Sequence, residues 1–356
     1  MPTVTLGVDA HKRSHTVVAV DAVGKKLAAK TVPSTSIGHA AALSWARVQF
    51  GVDLVWGGIE DCRSMTARLE RDLMAANQIV VRVPPHLMSR SRASSREPGG
   101  KSDPIDALAV ARAVLREPDL PRAAHDETSF SLKLLVDRRD DLVTIRRGMI
   151  SRLLDRVHAL DPTHVNPPTN WDRAKVRADL HTWLAQHTGL IAELARAELD
   201  DIDRLTAQIV ALTERLTHLI NQVAPRLLAK PGGVGPLSAA KIVAETAGVE
   251  RFKSEAAFAR YVGAAPTPNW SGGGQTPTGR RLQPSRRGNR QLNSALHRIA
   301  VVQIRLKDCP GRDYVERRVA EGDTKSQAIR SLKRRLARVV YQALIEDRAL
   351  TNQVAA

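Results

Sequence analysis

The chain has 356 residues, of which 43% are hydrophobic, and its formal net charge at pH 7 is +17. This length and composition allow two or three globular domains with buried cores, which excludes a disordered protein. The strong positive charge indicates that a large polyanion is the partner.

The positive charge is concentrated in one part of the chain. Residues 280–338 contain 17 Lys and Arg against 5 Asp and Glu, so most of the excess lies there. A generally basic protein without a nucleic-acid partner would spread its charge more evenly. Aromatic residues are only 3% of the chain, which argues against a surface that stacks successive single-stranded bases. We therefore expect contacts with phosphate groups and nucleic-acid shape to dominate.

Cysteine usage and hydropathy bear on where the protein works. Cys62 and Cys309 lie far apart and fit no zinc-binding spacing, so we expect a reducing, cytoplasmic location, associated with the nucleoid when bound. The first residues lead directly into a strand, without the basic and apolar regions of an export signal. No apolar run reaches membrane-spanning length, so we expect no membrane partner.

The first 115 residues alternate between strand-like and helix-like segments. Three β-rich runs come first, followed by alternating helices and strands. This is the order of a ribonuclease-H-like sheet, although many unrelated α/β proteins share it. We place this α/β domain at residues 1–125. The predicted strands are 4–8, 15–20, 26–32, 53–59 and 78–83, and the predicted helices are 37–48, 63–76 and 104–115.

A polar and basic segment, His86–Lys101, precedes the last of these helices. It contains three arginines, four serines and a Pro-Gly-Gly sequence, a composition typical of a loop. The cations expected to contact nucleic acid here are Arg90, Arg92, Arg96 and Lys101.

From about residue 126 the pattern becomes helical. Apolar residues from Ile202 to Val223 are spaced alternately by three and four positions, which is the pattern of a coiled-coil seam. A helix near residues 132–160 could be its antiparallel partner across the proline-rich break at 161–168. The seam could pack within one chain or between chains. We assign residues 126–225 to this helical and coiled-coil region.

A mainly helical C-terminal domain is expected at residues 226–350. It opens with Pro231–Pro236, whose Pro-Gly-x-x-Gly sequence before an alanine-rich helix resembles a helix-hairpin-helix turn. Backbone amides at Gly233 and Gly235 could meet a DNA phosphate there, although a plain interdomain turn explains the same residues. A basic amphipathic helix is predicted near residues 326–344. Its candidate phosphate contacts are Lys333, Arg334 and Arg335.

Four acidic residues stand where a metal-dependent nuclease would need them. Asp9 and Glu60 each follow a strand-like run, and Asp103 and Asp106 open a predicted helix. Carboxylates from separate strands and a helix can hold Mg²⁺ against phosphate oxygens. Each acid also has an ordinary explanation, because polar residues end strands and acids favour the first turn of a helix. Local evidence favours capping for Asp103 and Asp106, yet residues three apart on a helix can face one metal.

Ser271 lies in Asn269–Gly274, a Ser-Gly-Gly-Gly sequence within the most basic part of the chain. Neighbouring glycines would let a nucleic-acid backbone approach a serine nucleophile closely. No Ser-His-Asp pattern surrounds it, so by itself the segment is better explained as a flexible loop. Arginines downstream could neutralise phosphate at a reaction centre or grip the backbone non-specifically. They are Arg280, Arg281, Arg286, Arg287 and Arg290.

Several blocks, taken in order, resemble the DEDD transposases of the insertion-sequence one-ten type over nearly the whole chain. The N-terminal blocks are Gly7–Lys12, Gly58–Glu60 and Lys101–Ala109. The C-terminal blocks are Pro231–Pro236, Gly263–Pro266, Ser271-Gly272 and Arg287–Leu292. The order and spacing of the blocks are far more specific than any one of them.

The resemblance implies a RuvC-like N-terminal domain in which Asp9, Glu60, Asp103 and Asp106 bind Mg²⁺. It implies a C-terminal transposase domain with Ser271 as nucleophile, and a composite site in which the serine forms a transient phosphoserine link with DNA. It further implies donor and target double-stranded DNA as substrates, a structured guide RNA encoded by the element, and dimers that assemble into tetramers. Asp61, where the family has a small or hydroxylated residue, leaves the ligand set open at one position.

Three other functions are compatible with parts of this pattern. A RuvC-like nuclease would hydrolyse branched DNA with metal ions and without the serine. A conventional transposase would use the acids and water and form no covalent adduct. A non-catalytic nucleic-acid-binding protein would keep the acids only as caps and surface charge, and would need no Mg²⁺.

Overall fold

The computed structural model describes residues 4–355 except for 52, 60–62, 84–86, 88–101, 118–119, 121, 124–126, 165–169, 266, 269–281 and 284–287. The chain forms two compact units, Met1–His125 and Asp126–Ala356. The further boundary expected near residue 225 stays a prediction. Among the helices described, none combines the length and the apolar character needed to cross a membrane.

The first unit contains a five-stranded sheet in the order β3-β2-β1-β4-β5. The first three strands are antiparallel, and β4 and β5 continue the sheet parallel to β1. The ribonuclease-H-like order expected from the sequence is confirmed. The elements are β1 (Val4–Ala10), β2 (Ser14–Val20), β3 (Lys26–Pro33), α1 (Ser36–Phe50), β4 (Leu54–Ile59), α2 (Arg63–Ala75), β5 (Ile79–Val83) and α3 (Asp103–Arg116).

Helices cover both faces of this sheet, so β1 and β2 are buried along almost their whole length. Successive side chains of a strand point to opposite faces. Leu6 and Val8 therefore join a core with residues of α1 and α2, whereas Val18 and Val20 pack against α3. Asp9 lies on the face of β1 that α3 covers.

A glycine on β1 allows α3 to lie directly on the sheet. A Cβ added at Gly7 would stand 2.1 Å from the backbone oxygen of Ala107 and 2.4 Å from the backbone nitrogen of Ala111. Gly57, its partner in register on β4, also faces α3, and a Cβ added there would stand 2.6 Å from a methyl group of Val114. The close approach fixes where the N-terminus of α3 meets the end of β1.

The second unit is mainly helical, as expected. Its largest core gathers apolar residues from both ends of the unit, with Leu227, Phe258 and Ile299 almost fully buried. The elements are α4 (Glu127–Leu160), α5 (Ala174–Leu184), α6 (Leu190–Val223), α7 (Pro225–Ala229), α8 (Pro236–Thr246), a 3₁₀ turn (Val249–Arg251), α9 (Glu255–Tyr261), β6 (Thr267–Pro268), β7 (Leu282–Gln283), α10 (Arg290–Arg305), α11 (Pro310–Ala320) and α12 (Lys325–Ala355).

The predicted apolar seam of α6 packs within the chain, against α4. The two helices run antiparallel, since Arg139 bonds Thr213 at one level and Arg156 bonds Glu198 at another. The buried face of α6 differs from the predicted seam. Thr206 is buried, whereas Leu205, which the apolar spacing favoured, is only partly buried. The hydroxyl of Thr206 accepts from the guanidinium of Arg146 at 3.0 Å. A hydrogen-bonded polar pair thus replaces an apolar contact between the helices.

The first unit also buries two stacked histidines, and this pair makes its stability sensitive to pH. His15 of β2 and His39 of α1 are each 1% exposed, with ring centroids 5.1 Å apart. His39 Nδ1 lies 2.6 Å from a carboxylate oxygen of Asp72 on α2. Burial, with the neighbouring His39 and His11, lowers the pKa of His15 to about 4. The unfolded chain, with an ordinary histidine pKa of about 6.5, therefore binds this proton more tightly than the folded chain does.

We expect the contribution of neutral His15 to the free energy of unfolding to be fully present above pH 6.5 and to decrease as the pH drops toward 4. About 2 kcal/mol should be lost by pH 5. His15→Phe keeps an apolar ring in the stack and removes the titration. Urea unfolding at pH 7.5 and pH 5 should therefore show the variant losing about 2 kcal/mol less than the wild type. Equal losses in the two proteins would contradict this assignment.

Candidate metal centre and nucleic-acid surface

Asp9, Asp103 and Asp106 meet where β1 ends and α3 begins. Asp9 is the last residue but one of β1, and its side chain is only 9% exposed. Asp103 and Asp106 occupy the first turn of α3, with Asp103 half-exposed and Asp106 buried. The packing of α3 on Gly7 thus brings together three of the four acids that the sequence singled out.

The first turn of α3 shows why capping and metal binding are compatible there. Ser102 is the N-cap residue but makes no side-chain capping bond, and Pro104 lies in the first turn. The backbone amides of Ile105 and Asp106 donate to the Ser102 carbonyl oxygen at 3.0 and 3.1 Å. The positive end of the helix dipole favours carboxylates at this position. The helix start therefore stabilises two negative charges beside a third.

A histidine that was not among the predicted site residues joins these acids. Nε2 of His11 lies 3.1 Å from Oδ2 of Asp9 and 3.2 Å from Oδ1 of Asp103. His11 follows Asp9 by two positions, so both side chains leave the chain on the same face as the strand ends. That spacing was visible in the sequence, but a single histidine beside an acid has too many structural explanations to be chosen from sequence alone.

The acids of this centre lie close enough together to affect one another's charge. Burial raises the pKa of Asp9 above its ordinary value, and the charges of Asp106 and Asp103 raise it further, while His11 opposes the shift. An ionised Asp9 is therefore costly in the metal-free protein. A bound cation would relieve that cost, because it neutralises the repulsion among the acids.

The donor atoms fit a divalent cation. One donor atom each from Asp9, His11 and Asp103 lie within 4.8 Å of one another. Carboxylate oxygens and an imidazole nitrogen are ordinary ligands of divalent metals. These two carboxylates and one imidazole, with Asp106 one helical turn from Asp103, are suitable ligands for a divalent cation.

Several predicted site residues lie outside the described residues, so their assignments stay predictions. Among them are the fourth acid, Glu60, and the proposed nucleophile, Ser271. The remaining ones are basic: Arg90, Arg92, Arg96, Lys101, Arg280, Arg281, Arg286 and Arg287.

The described residues on either side of the Ser271 segment are held close together. Strands β6 and β7 pair antiparallel, with Thr267 opposite Gln283. Farther out, a Cβ at Gly288, which has a φ of +105°, would stand 2.6 Å from the backbone nitrogen of Gly263. The amide of Asn289 donates to the Tyr261 carbonyl oxygen at 2.7 Å. The described residues that flank the segment therefore lie side by side.

A buried polar network anchors this base. The amide group of Asn289 donates to Oε2 of the buried Glu245 at 2.6 Å, and Nζ of Lys133 lies 3.0 Å from Oε1 of the same carboxylate. The Asn289 side-chain oxygen also accepts from the backbone nitrogens of Gln291 and Leu292, which caps α10. Part of the Arg287–Leu292 block is thus explained by its role in fixing the start of α10.

The described basic residues divide into exposed and anchored ones. Arg290, Arg334 and Arg335 are exposed, and the guanidinium of Arg335 lies over the ring of Tyr314 at 4.4 Å. Lys333 is half-buried, and its Nζ donates to Oδ1 of Asn293 at 2.5 Å. Burial lowers the pKa of Lys333, and nearby Arg330 lowers it further. Among the residues expected to bind phosphate on α12, Lys333 is thus the one already engaged inside the unit.

The glycine turn before α8 is also partly engaged. The side chain of Gln303 on α10 donates to the carbonyl oxygens of Pro231 and Gly232, the latter at 3.0 Å. Gly233, with a φ of +66°, packs against Val302 of the same helix. Gly235 is exposed at the N-cap of α8, and an added Cβ would have no neighbour within 4 Å in the part of the chain that the structure describes. Of the two glycines expected to contact phosphate, Gly235 has the more open surroundings.

Two family models match the chain. Residues 6–161 match a DEDD model of the IS110 type described as "Transposase", and residues 225–316 match a model described as "Transposase IS116/IS110/IS902 family". Together they span more than two thirds of the chain.

Two bacterial relatives extend the similarity to almost the full length. The "Insertion element IS116 uncharacterized 44.8 kDa protein" of Streptomyces clavuligerus is 27% identical over 97% of this chain and 96% of its own length. The "Insertion element IS900 uncharacterized 42 kDa protein" of Mycobacterium paratuberculosis is 26% identical with the same two coverages.

Among solved structures, RuvC of Thermus thermophilus in complex with a Holliday junction substrate matches 34% of this chain and 99% of its own. The identity is 13% and the TM-score is 0.28. This score is too low to establish a shared fold. The ribonuclease-H-like fold of the first unit is assigned from its strand order and from the family model.

Proposed function

We propose a specific chemistry for this chain, which belongs to the IS110-type family of DEDD transposases. It cuts donor and target DNA and rejoins the strands through attack of Ser271 on a phosphodiester, assisted by Mg²⁺ and guided by an RNA that the element encodes. The observation that carries the proposal is the meeting of Asp9, Asp103 and Asp106 at the junction of β1 and α3. Capping alone would not require a buried strand acid beside two helix acids.

Asp9, Asp103 and Asp106, joined by Glu60 according to the resemblance, would hold the metal. When bound, the metal supplies charge neutralisation at the phosphate under attack. The protein's own contribution is to hold its acids close together despite their repulsion. The packing of α3 on Gly7 and the helix dipole at Asp103 both serve that purpose.

The proposed covalent step conserves a phosphodiester bond. The Oγ of Ser271 forms a bond to phosphorus, the bond from phosphorus to one sugar oxygen breaks, and that oxygen leaves with a proton. A hydroxyl of another strand then attacks the same phosphorus and displaces the serine. Because one ester replaces another at each step, no high-energy cofactor is required.

The described base of the Ser271 segment supports this role for the serine. A nucleophile must be held within a fraction of an ångström of a productive position. The paired strands β6 and β7 and the anchoring of Asn289 by Glu245 fix both ends of the segment. A plain linker would not need an asparagine bonded to a buried carboxylate at its base.

Charge and exposure support nucleic acids as partners. The overall excess of +17 and the exposed Arg290, Arg334 and Arg335 suit non-specific contact with phosphate. We propose that sequence choice is delegated to base pairing by the guide RNA. We also propose homodimers that assemble into tetramers on the paired DNAs.

A trapping experiment tests the proposal. The wild type and Ser271→Ala are incubated with Mg²⁺, the element-encoded RNA and labelled donor and target DNA, and the products are separated on a denaturing gel. A labelled protein–DNA adduct is expected with the wild type and with the control variant Ser151→Ala, which changes an exposed serine on α4, and not with Ser271→Ala. Cleavage by Ser271→Ala at the wild-type rate would leave a metal-dependent nuclease or a water-using transposase as the function. No cleavage with any divalent metal would favour a non-catalytic binding protein.

A further inference from the structure

The position of His11 is not explained by the acidic centre as the family pattern describes it. A single ring nitrogen, Nε2, contacts one carboxylate oxygen from the end of β1 and one from the start of α3. The imidazole is half-exposed. It is therefore accessible from solvent and is held at the centre by its polar contacts.

The backbone around His11 is fixed on several sides. The His11 amide donates to the Ser14 carbonyl oxygen at 2.9 Å, which closes the turn between β1 and β2. The hydroxyl of Ser34 donates to the Lys12 carbonyl oxygen at 2.6 Å, and the Ser34 amide donates to the Arg13 carbonyl oxygen at 3.0 Å. A rigid turn thus presents the ring on the same face as Asp9.

The spacing of the three donor atoms matches that of neighbouring ligands on one ion. Adjacent ligands of an octahedral ion at about 2.1 Å stand about 3 Å apart. The distances from Nε2 to the oxygens of Asp9 and Asp103 are 3.1 and 3.2 Å. One ion could therefore take all three donors with little rearrangement of the side chains.

We propose that His11 is a ligand of the metal centre together with Asp9 and Asp103, and that its nitrogen makes the centre prefer Mn²⁺ to Mg²⁺. This inference rests on the proposed metal-binding role of the acids and adds a ligand to it. Mg²⁺ takes oxygen ligands and keeps its waters, whereas imidazole suits transition metals better. Removing the imidazole should therefore cost affinity for Mn²⁺ and little affinity for Mg²⁺.

The competing explanation is that His11 only balances the charge of the acids. In that case the imidazole competes with any cation, and its removal should leave the affinities for both metals unchanged or raise both together. The ratio of the two affinities therefore separates a ligand from a counter-charge.

The experiment measures binding of the metals alone to the full chain. Mn²⁺ binding is followed by electron paramagnetic resonance of the free ion, and Mg²⁺ binding by competition with Mn²⁺. We expect His11→Ala and His11→Asn to weaken Mn²⁺ binding at least about tenfold and to change Mg²⁺ binding less than about threefold. Thermal melting shows whether each variant is folded, and His11→Asn keeps a polar group of similar size at the site.

Two further variants make the outcomes distinguishable. His158→Asn changes an exposed histidine on α4 and should leave both affinities as they are. Asp9→Asn should weaken binding of both metals. If Asp9→Asn does so while the His11 variants leave the affinity ratio unchanged, the ligand role of His11 is overturned and the metal centre stands. If Asp9→Asn affects neither metal, the proposed centre itself is overturned.

Discussion

Asp9→Asn is expected to lower strand-cleavage activity at least about 10³-fold, while the melting temperature stays equal to or above that of the wild type. The loss follows because the metal is proposed to supply several kcal/mol of charge stabilisation at the phosphate, and Asp9 is one of its buried ligands. Burial and the neighbouring acids raise the pKa of Asp9. A carboxyl whose pKa is raised in the folded state costs stability once the pH is above both pKa values.

The neutral amide of asparagine removes that cost at pH 7.5 and can still hydrogen-bond to His11. Activity is measured by the rate of donor cleavage under single-turnover conditions, and stability by differential scanning calorimetry. Asp141→Asn, which removes an exposed acid on α4, serves as the control and should change neither. A strongly lowered melting temperature for Asp9→Asn would mean that the acid serves the fold and not the metal.

Gly7→Ala is expected to destabilise the first unit by about 3 kcal/mol or more. The added methyl group would stand 2.1 Å from the Ala107 carbonyl oxygen. No side-chain rotation can relieve this clash, because the backbone of β1 sets the position of the methyl group and the oxygen belongs to the backbone of α3. The helix α3 would have to move away from the sheet. Since α3 carries Asp103 and Asp106, activity should fall together with stability.

The matched control is Gly58→Ala on the neighbouring strand β4. A Cβ at Gly58 would meet no atom of the described residues within 4 Å, so this variant should melt within about 2 °C of the wild type. Hydrogen exchange of the β1 and α3 amides should speed up in Gly7→Ala and not in Gly58→Ala. Equal behaviour of the two variants would show that α3 does not depend on the close approach at Gly7.

Local patterns in the sequence predicted most of the fold of the first unit. The β-rich runs of the first three strands and the acids at the start of α3 are short-range signals, and each element lies within a few residues of its expected bounds. The sheet order followed from the order of the elements. The grouping of Asp9 with Asp103 could also be anticipated, because strand ends and helix starts carry such residues when they meet.

Contacts between residues distant in sequence could not be predicted in the same way. The spacing of α6 favoured Leu205, but Thr206 is buried and accepts a hydrogen bond from Arg146 of α4. The pairing of Asn289 with Glu245 and the stacking of His15 on His39 join elements far apart in sequence. His11 was missed because its role depends on where the first turn of α3 lies. The helix α5 was missed because it is short and weakly amphipathic.

Peptide mapping by mass spectrometry shows whether the acids of the first unit and Ser271 serve the same reaction. Wild-type protein is incubated with Mg²⁺, guide RNA and donor DNA, the DNA is digested, and the peptides are analysed. We expect a nucleotide phosphate attached to Ser271 in the wild type and no such modification in Asp9→Asn. Cleaved donor DNA without any modified serine, or a modification that persists undiminished in Asp9→Asn, would contradict it.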